Sequence, residues 1–189
     1  MKVVHLLRHA KSDWDDVSLT DHERPLSKRG IAAAKAMGRH LGTEPFQVDA
    51  IYCSTARRAR ETLKYLGRAV HNVPVVLTDA LYMVTPEDVF TLIKRAPETA
   101  QSLLVIGHNP TTQDAALSLI GRAAPGQREA LNSLRAKYPT GALASIRCNL
   151  SRWRNLVPGV GALLRFLKPR DLARMPPRKR KIAKRSPRR

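Results

Sequence analysis

The sequence predicts an α/β protein of three α/β/α layers with a mostly parallel sheet, and three observations predict it. Short apolar runs alternate with longer segments of helical periodicity along most of the 189 residues, the pattern of βαβ units. One run, Leu103 to Ile106 (LLVI), is apolar at every position, as a strand buried on both faces has to be. Three of the runs end in polar residues at or just before a helix start, so a parallel arrangement would gather those polar ends along one sheet edge.

Taken in order, Lys2 to Leu7 reads as the first strand. Lys11 to Pro25 is polar, charged and irregular, and reads as a loop over the strand ends. Ser27 caps a helix to about Leu41, with Ala and Met on one face and Lys35 and Arg39 on the other. Gly42 fits the position just past its end. Asp49 to Cys53 is a second strand, Ala56 to Val70 a helix, and Val73 to Leu77 a third strand. Pro86 opens a helix to about Arg95. The fourth strand, Leu103 to Ile106, runs into Gly107-His108-Asn109-Pro110, and Pro110 opens a helix to about Ile120. A further helix covers Gln127 to Lys137. Ala142 to Cys148 alternates as a strand, with Ala162 to Leu167 as its partner. There is no internal repeat.

Composition narrows the function. The length and a 43% hydrophobic share suit one domain with a full core. No run approaches the roughly 18 apolar residues of a membrane span. The N-terminus lacks the pattern of a secretory signal, so a cytoplasmic protein is expected. Cys53 and Cys148 belong to no C-x-x-C pattern and read as buried thiols rather than a disulfide or metal ligands. Of the net charge of +19, nine charges lie between Ala173 and Arg189, which leaves +10 for the rest. The chain divides into a domain over 1–172 and a basic tail over 173–189 that cannot bury a core and is expected to be disordered. Such a balance points to anionic partners, and the tail to nucleic acid or other polyanions.

The chemistry concentrates at the three polar strand ends. The first carries Arg8-His9, the second Ser54 to Arg58, the fourth Gly107-His108-Asn109-Pro110. Two histidines and at least two arginines around one point would compensate a dianionic phosphoryl group, with helix N-termini adding N–H donors. Each alone has a plainer reading: a solvated helix face for Arg57, Arg58 and Arg60, a cap or packing residue for His108. Their occurrence together, each at a strand-to-helix edge, favours a site. No His/Asp/Glu cluster has metal-ligand spacing, and no cofactor is expected.

These segments resemble the histidine phosphatase superfamily, and within it the small phosphohistidine phosphatases of the SixA type. LLRHAKSDW is similar to the family's Arg-His nucleophile motif, and ERPLSKRG (Glu23 to Gly30) to its R-P-L-S/T-x-x-G element. STARRARET (Ser54 to Thr62) matches S-x-x-x-R-A-x-x-T, and VIGHNP (Val105 to Pro110) carries the second histidine. YPTGALASI (Tyr138 to Ile146) and FLKPRDL (Phe166 to Leu172) resemble the final strands. The resemblance covers about residues 1 to 172 and implies a phosphoglycerate mutase-like fold. It places the nucleophile on His9, the phosphate-binding arginines on Arg8 and Arg58, and the second histidine on His108. The R-A-x-x-T register makes Arg57 a flanking surface charge.

The resemblance stops at the general acid. Larger relatives carry a Glu just after the third strand, whereas LTDALYMVTPEDV puts apolar residues at Ala80 to Tyr82. Asp13, Asp79, Glu87 and Asp88 are the available substitutes, and of these Asp13 and Glu87 are taken as the candidate proton donors. An alkoxide leaves poorly without a proton, while an imidazole, of pKa about 6.5, needs little help. The expected activity is a metal-independent phosphatase forming a phosphohistidine intermediate, acting on phosphohistidine of a phosphorylated protein. The alternatives are a small phosphate ester as substrate, or a polyanion-binding adaptor working through the tail. His5, His22, His40 and His71 match no motif and read as structural or surface groups.

Overall fold

A computed structural model describes residues 1–172, and the reading of 173–189 as a disordered tail lies outside them. Seven strands form one sheet: β1 (Lys2–Arg8), β2 (Ala50–Ser54), β3 (Val75–Thr78), β4 (Ser102–Gly107), β5 (Ile120–Ala123), β6 (Leu143–Cys148) and β7 (Gly161–Leu167). Their order is β3-β2-β4-β1-β6-β7-β5. Every neighbouring pair is parallel except the two that flank β6, so β6 alone runs against the rest. The helices are α1 (Lys28–Thr43), α2 (Arg57–Leu66), α3 (Pro86–Lys94), α4 (Thr111–Leu119), α5 (Arg128–Ala136) and α6 (Pro169–Leu172). None is long and apolar enough to cross a membrane, among the described residues.

Alternation along the central strands builds the two faces. Val4 and Leu6 of β1 join Leu103 and Val105 of β4 in one core, covered by Val89, Phe90 and Ile93 of α3 and by Ala115, Leu119, Leu131 and Leu134 of α4 and α5. Leu7, Leu104 and Ile106 face the other way, under Met37 and Leu41 of α1, Ala59 and Leu66 of α2, and Leu172 of α6. β4 is buried at all six positions. Truncating one of its leucines to Ala would cost roughly 2–5 kcal/mol.

Caps and close approaches fix the helices. The Ser27 side chain accepts from Gly30 N, as a Ser N-cap does. Pro86 opens α3 behind a capping box of Thr85 and Asp88. Several boundaries depart from expectation. The first helix runs through Gly42 to Thr43 and caps at Glu44, so Gly42 is helical rather than the residue past the end. The second helix stops at Leu66, and Gly67–Val70 continues as a 3₁₀ turn because Gly67 sits at φ +57°. α4 ends at Leu119, and Ile120–Ala123 pairs with β7 as an unforeseen strand. That strand is short, carries a register shift, and its Gly121 lets Gly159 O approach where a Cβ would lie 2.1 Å away, so it shows no alternation to read. β3 starts two residues later than expected, at Val75, and is an edge strand with Val75, Val76 and Leu77 about half exposed.

Two glycines of α1 separate packing from propensity. A Cβ on Gly38 would meet Leu66 O at 2.3 Å, whereas one on Gly42 would meet nothing within 4 Å. Gly42→Ala should raise stability by about 0.5–1 kcal/mol. Gly38→Ala should lower it by roughly 1–3 kcal/mol through overpacking, despite the same gain in propensity. Urea unfolding of both variants measures the difference, and equal stabilisation by the two would contradict the α1–α2 packing.

Candidate active site

β4 lies between β1 and β2, with Arg8 opposite Gly107 and Ile106 opposite Cys53. That order brings Arg8-His9, Ser54 and His108 to one point on the sheet edge. His9 is buried at 7% exposure. Its Nδ1 lies 2.7 Å from Ala10 O, and a carbonyl only accepts, so the ring proton is on Nδ1 and Nε2 keeps its lone pair. Burial, then His108, push the His9 pKa down to about 3, with Arg58 and Arg8 adding to the fall. His9 is therefore neutral at physiological pH.

The His108 ring stands 4.9 Å from that of His9. Its Nε2 is 2.8 Å from Ser54 Oγ, which also accepts from Ala56 N. The Ser54 hydroxyl and Nε2 share one proton between them, and Nδ1 of His108 is buried with no protein partner; if the hydroxyl donates, Nδ1 carries the ring proton. Burial and then Arg58 lower its pKa to about 4.

The arginines are aimed by their own partners. Arg8 Nη1 donates to Tyr138 O at 2.7 Å. Arg58, at the start of α2 and 6% exposed, donates through Nη1 to Asp21 O and through Nη2 to Asp21 Oδ2, the latter at 2.8 Å. The Tyr82 hydroxyl donates to the same Oδ2 at 2.9 Å. Burial works against the Asp21 carboxylate, but Tyr82 and Arg58 outweigh it and hold the group below the usual carboxylate range. The Arg24 guanidinium stacks on Trp14 at 3.6 Å from the ring centre and approaches Asp21. Thr62, one turn after Arg58, donates to Arg58 O at 2.6 Å and accepts from Ala10 N at 2.9 Å. This double bond is the physical reason for the R-A-x-x-T spacing.

Four buried side-chain atoms without partners are found among the described residues: Arg8 Nε, Arg24 Nε, His108 Nδ1 and Asn109 Oδ1. All belong to this cluster or to the residue beside His108. Buried polar groups are otherwise paired nearly always, so the unpartnered atoms of Arg8 and His108 beside His9 fit an anion. No group of three or more His, Cys, Asp or Glu side chains that could hold a metal ion occurs among the described residues.

Residues 4–82 match the model of the histidine phosphatase superfamily, branch 1. The chain belongs to the histidine phosphatase superfamily. An uncharacterized protein of Mycobacterium tuberculosis is 38% identical over 165 residues, which is 87% of this chain and 100% of the relative. A protein assigned as phosphohistidine phosphatase SixA from Nakamurella multipartitia has the same fold, with TM-score 0.76 and 29% identity over 89% of this chain and 96% of its own. The corresponding assignment from Agrobacterium tumefaciens gives 0.73 and 28% over 88% and 97%. This phosphatase is thus of the SixA type, with a phosphoglycerate mutase-like fold.

The phosphatase brings together all four of His9, Arg8, Arg58 and His108. Arg57 turns aside to pair with Glu61 at 2.9 Å, as a flanking charge should. Asp13 accepts from Asp15 N in its own turn, and Glu87 stands exposed in the first turn of α3. Neither makes a polar contact with the cluster. Asp79 receives the Thr55 hydroxyl, and Asp88 is spent in the α3 capping box. Residues given no role from sequence supply the surroundings instead: Asp21, Tyr82 and His22, whose Nε2 lies 3.0 Å from Thr55 Oγ1 and whose ring meets Tyr82 edge-on. Ser54, which joins them, is the serine that opens the Ser54 to Thr62 motif.

Neutral buried histidines make the fold sensitive to acid. His9 and His108 fall to about 3 and 4, and His5, buried against Ser145 and Phe46, to about 3. The unfolded chain, with histidines near 6.5, binds more protons below that pH, so stability is greatest above about pH 6.5 and declines as pH falls toward 3–4. Denaturant unfolding should lose at least about 1 kcal/mol between pH 6.5 and 5. An unchanged free energy would contradict the neutral state of these rings.

Proposed function

We propose that this phosphatase takes the phosphoryl group of a protein phosphohistidine onto Nε2 of His9 and then delivers it to water, without a metal ion. The observation that carries the reading is the neutral, Nδ1-protonated state of His9 beside Arg8, Arg58 and His108. The Nε2 lone pair forms the new P–N bond as the bond to the substrate imidazole breaks. The bonding pair leaves with that imidazole, whose other ring nitrogen already carries a proton, so it departs as neutral imidazole and needs no proton from an acid. His9 then carries phosphate on Nε2 and a proton on Nδ1, and Ala10 O supports the positive charge that the ring acquires. Water attacks phosphorus in the second step and gives its proton to solvent. The P–N bond breaks and returns its pair to Nε2, so neutral His9 is restored as the leaving group. Arg8, Arg58 and the Nδ1–H of His108 hold the equatorial oxygens throughout.

The proton-donor problem supports phosphohistidine over an alkyl phosphate. Asp13 and Glu87 make no contact with the cluster. Asp21, the carboxylate that is there, is held in its ionised form and serves to orient Arg58. An imidazole leaving group, of pKa about 6.5, departs without a strong acid, whereas an alkoxide does not. Fold alone does not select between these substrates.

Assays in EDTA on a phosphohistidine peptide and on a sugar phosphate test the reading. The peptide should be turned over at least about 100-fold faster in kcat/KM, a margin of about 2.7 kcal/mol. His9→Ala should abolish both turnover and the trapped phosphoenzyme. Ser54→Ala, which frees the His108 ring, should lower kcat about 10- to 100-fold. Full activity in His9→Ala would remove the nucleophile assignment, and preference for the sugar phosphate would remove the substrate assignment.

A further inference from the structure

Beside α5 lies a cleft of about 500 Å³ lined by Arg122, Arg128 and Arg135, with Gly126, Leu131 and Asn132 between them. All three arginines are exposed, and none forms an ion pair or a side-chain hydrogen bond with a described residue. No Asp or Glu lines the cleft. Arg128, Asn132 and Arg135 are spaced by four and three residues and share one helix face, and the two arginines stand about 10 Å apart along the axis. Glu129, the acid nearest in sequence, points about 100° round the helix from Arg128.

The segment after α5 ties one end of the cleft to the phosphate pocket. Ala123 of β5 pairs with Leu163, Leu163 with Ile146, and Ile146 with Val4, so the lower end of the cleft lies level with the middle of β1. The upper end is the C-terminus of α5, where Gln113 Nε2 donates to Leu134 O and Arg135 O. Three residues after Arg135 comes Tyr138, whose carbonyl receives Arg8 Nη1 and the Asn109 amide. The Arg135 end of the cleft is thus tied through Tyr138 to Arg8, with β6 and β7 lying between β1 and β5 in the sheet.

We infer that this cleft docks an acidic segment of the phosphoprotein substrate, laid along α5 with its phosphohistidine at the Arg8–His9 end. The inference rests on the phosphohistidine reading above. An extended chain advances about 3.3 Å per residue, so carboxylates three residues apart match the Arg128–Arg135 separation. The cleft has no aromatic side chain on which nucleic-acid bases could stack. Exposed pairs are individually weak, so the effect belongs to KM, encounter rate and salt dependence rather than to kcat.

Two synthetic peptides with the same central phosphohistidine, one flanked by glutamates and one by glutamines, test the cleft on the full chain. At low salt the glutamate peptide should have a KM at least about 5-fold lower, a margin of about 1 kcal/mol. The triple variant Arg122→Glu, Arg128→Glu, Arg135→Glu should erase that preference, leave kcat for the glutamine peptide unchanged and keep the wild-type Tm. Fluorescence anisotropy of the unphosphorylated glutamate peptide reads docking independently of turnover. If neither phosphopeptide is hydrolysed, the phosphohistidine reading fails, while loss of anisotropy in the triple variant still supports an acid-binding cleft. Equal peptide binding by wild type and variant overturns the proposal. Duplex DNA that binds more tightly than the peptide and is lost in the variant also overturns it, in favour of a nucleic-acid surface.

Discussion

The hydrogen bond from Nδ1 of His9 to Ala10 O determines which ring nitrogen keeps its lone pair, and the proposed nucleophile depends on it. A bond to the adjacent residue could swing with the backbone, so the Ala10 peptide itself has to be fixed. Thr62 Oγ1 accepts from Ala10 N and donates to Arg58 O. Gly141 N is within reach of both Arg8 O and His9 O, and the Ala10 side chain is buried against Leu26 and Ala34. His9 is therefore oriented from α2, from the turn before β6 and from the start of α1 at once. The same Thr62 links that orientation to the first turn of α2, which presents Arg58.

Charge in the pocket is arranged to accept an anion without protonating the nucleophile. Burial and neighbouring positive charge hold His9 and His108 neutral, while the guanidinium groups keep the site positive. Asp21 tempers this arrangement. Its carboxylate holds Arg58 in place and receives the Tyr82 hydroxyl, so part of the positive charge is balanced before any phosphate arrives. In the proposed reaction an incoming phosphoryl group would share Arg58 with Asp21, with the orphan atoms of Arg8 and His108 as further contacts.

Much of this was legible in the sequence. The apolar run at Leu103 to Ile106 marked the buried central strand, and the polar ends after Leu7, Cys53 and Ile106 marked the edge that the parallel order gathers. His9, Arg8, Arg58 and His108 are motif residues, and each lies where a strand hands over to a loop or helix. What the sequence hid depends on contacts across long separations. Asp21 sits in an irregular loop and acquires its role only by folding onto Arg58, 37 residues away, and Tyr82 only by reaching back to Asp21. With apolar residues where the acid after the third strand is sought, the substitutes available in the sequence were Asp13 in the loop after β1 and Glu87 at the start of α3, and neither makes a polar contact with the cluster. Boundaries failed where local signals were weak: Gly42 resembles a helix stop but is carried inside α1, and β5 is held by its neighbour β7 rather than by its own pattern.

The central claim is that phosphate passes through Nε2 of His9. The most direct measurement is the position of phosphorus in a phosphoenzyme trapped at early times with a phosphohistidine peptide. Mass spectrometry of alkali-quenched protein assigns the residue, and ³¹P–¹⁵N coupling assigns the nitrogen. The account predicts phosphate on His9, bonded to Nε2, with Nδ1 still protonated. Phosphate on His108, or on Nδ1 of His9, would contradict it.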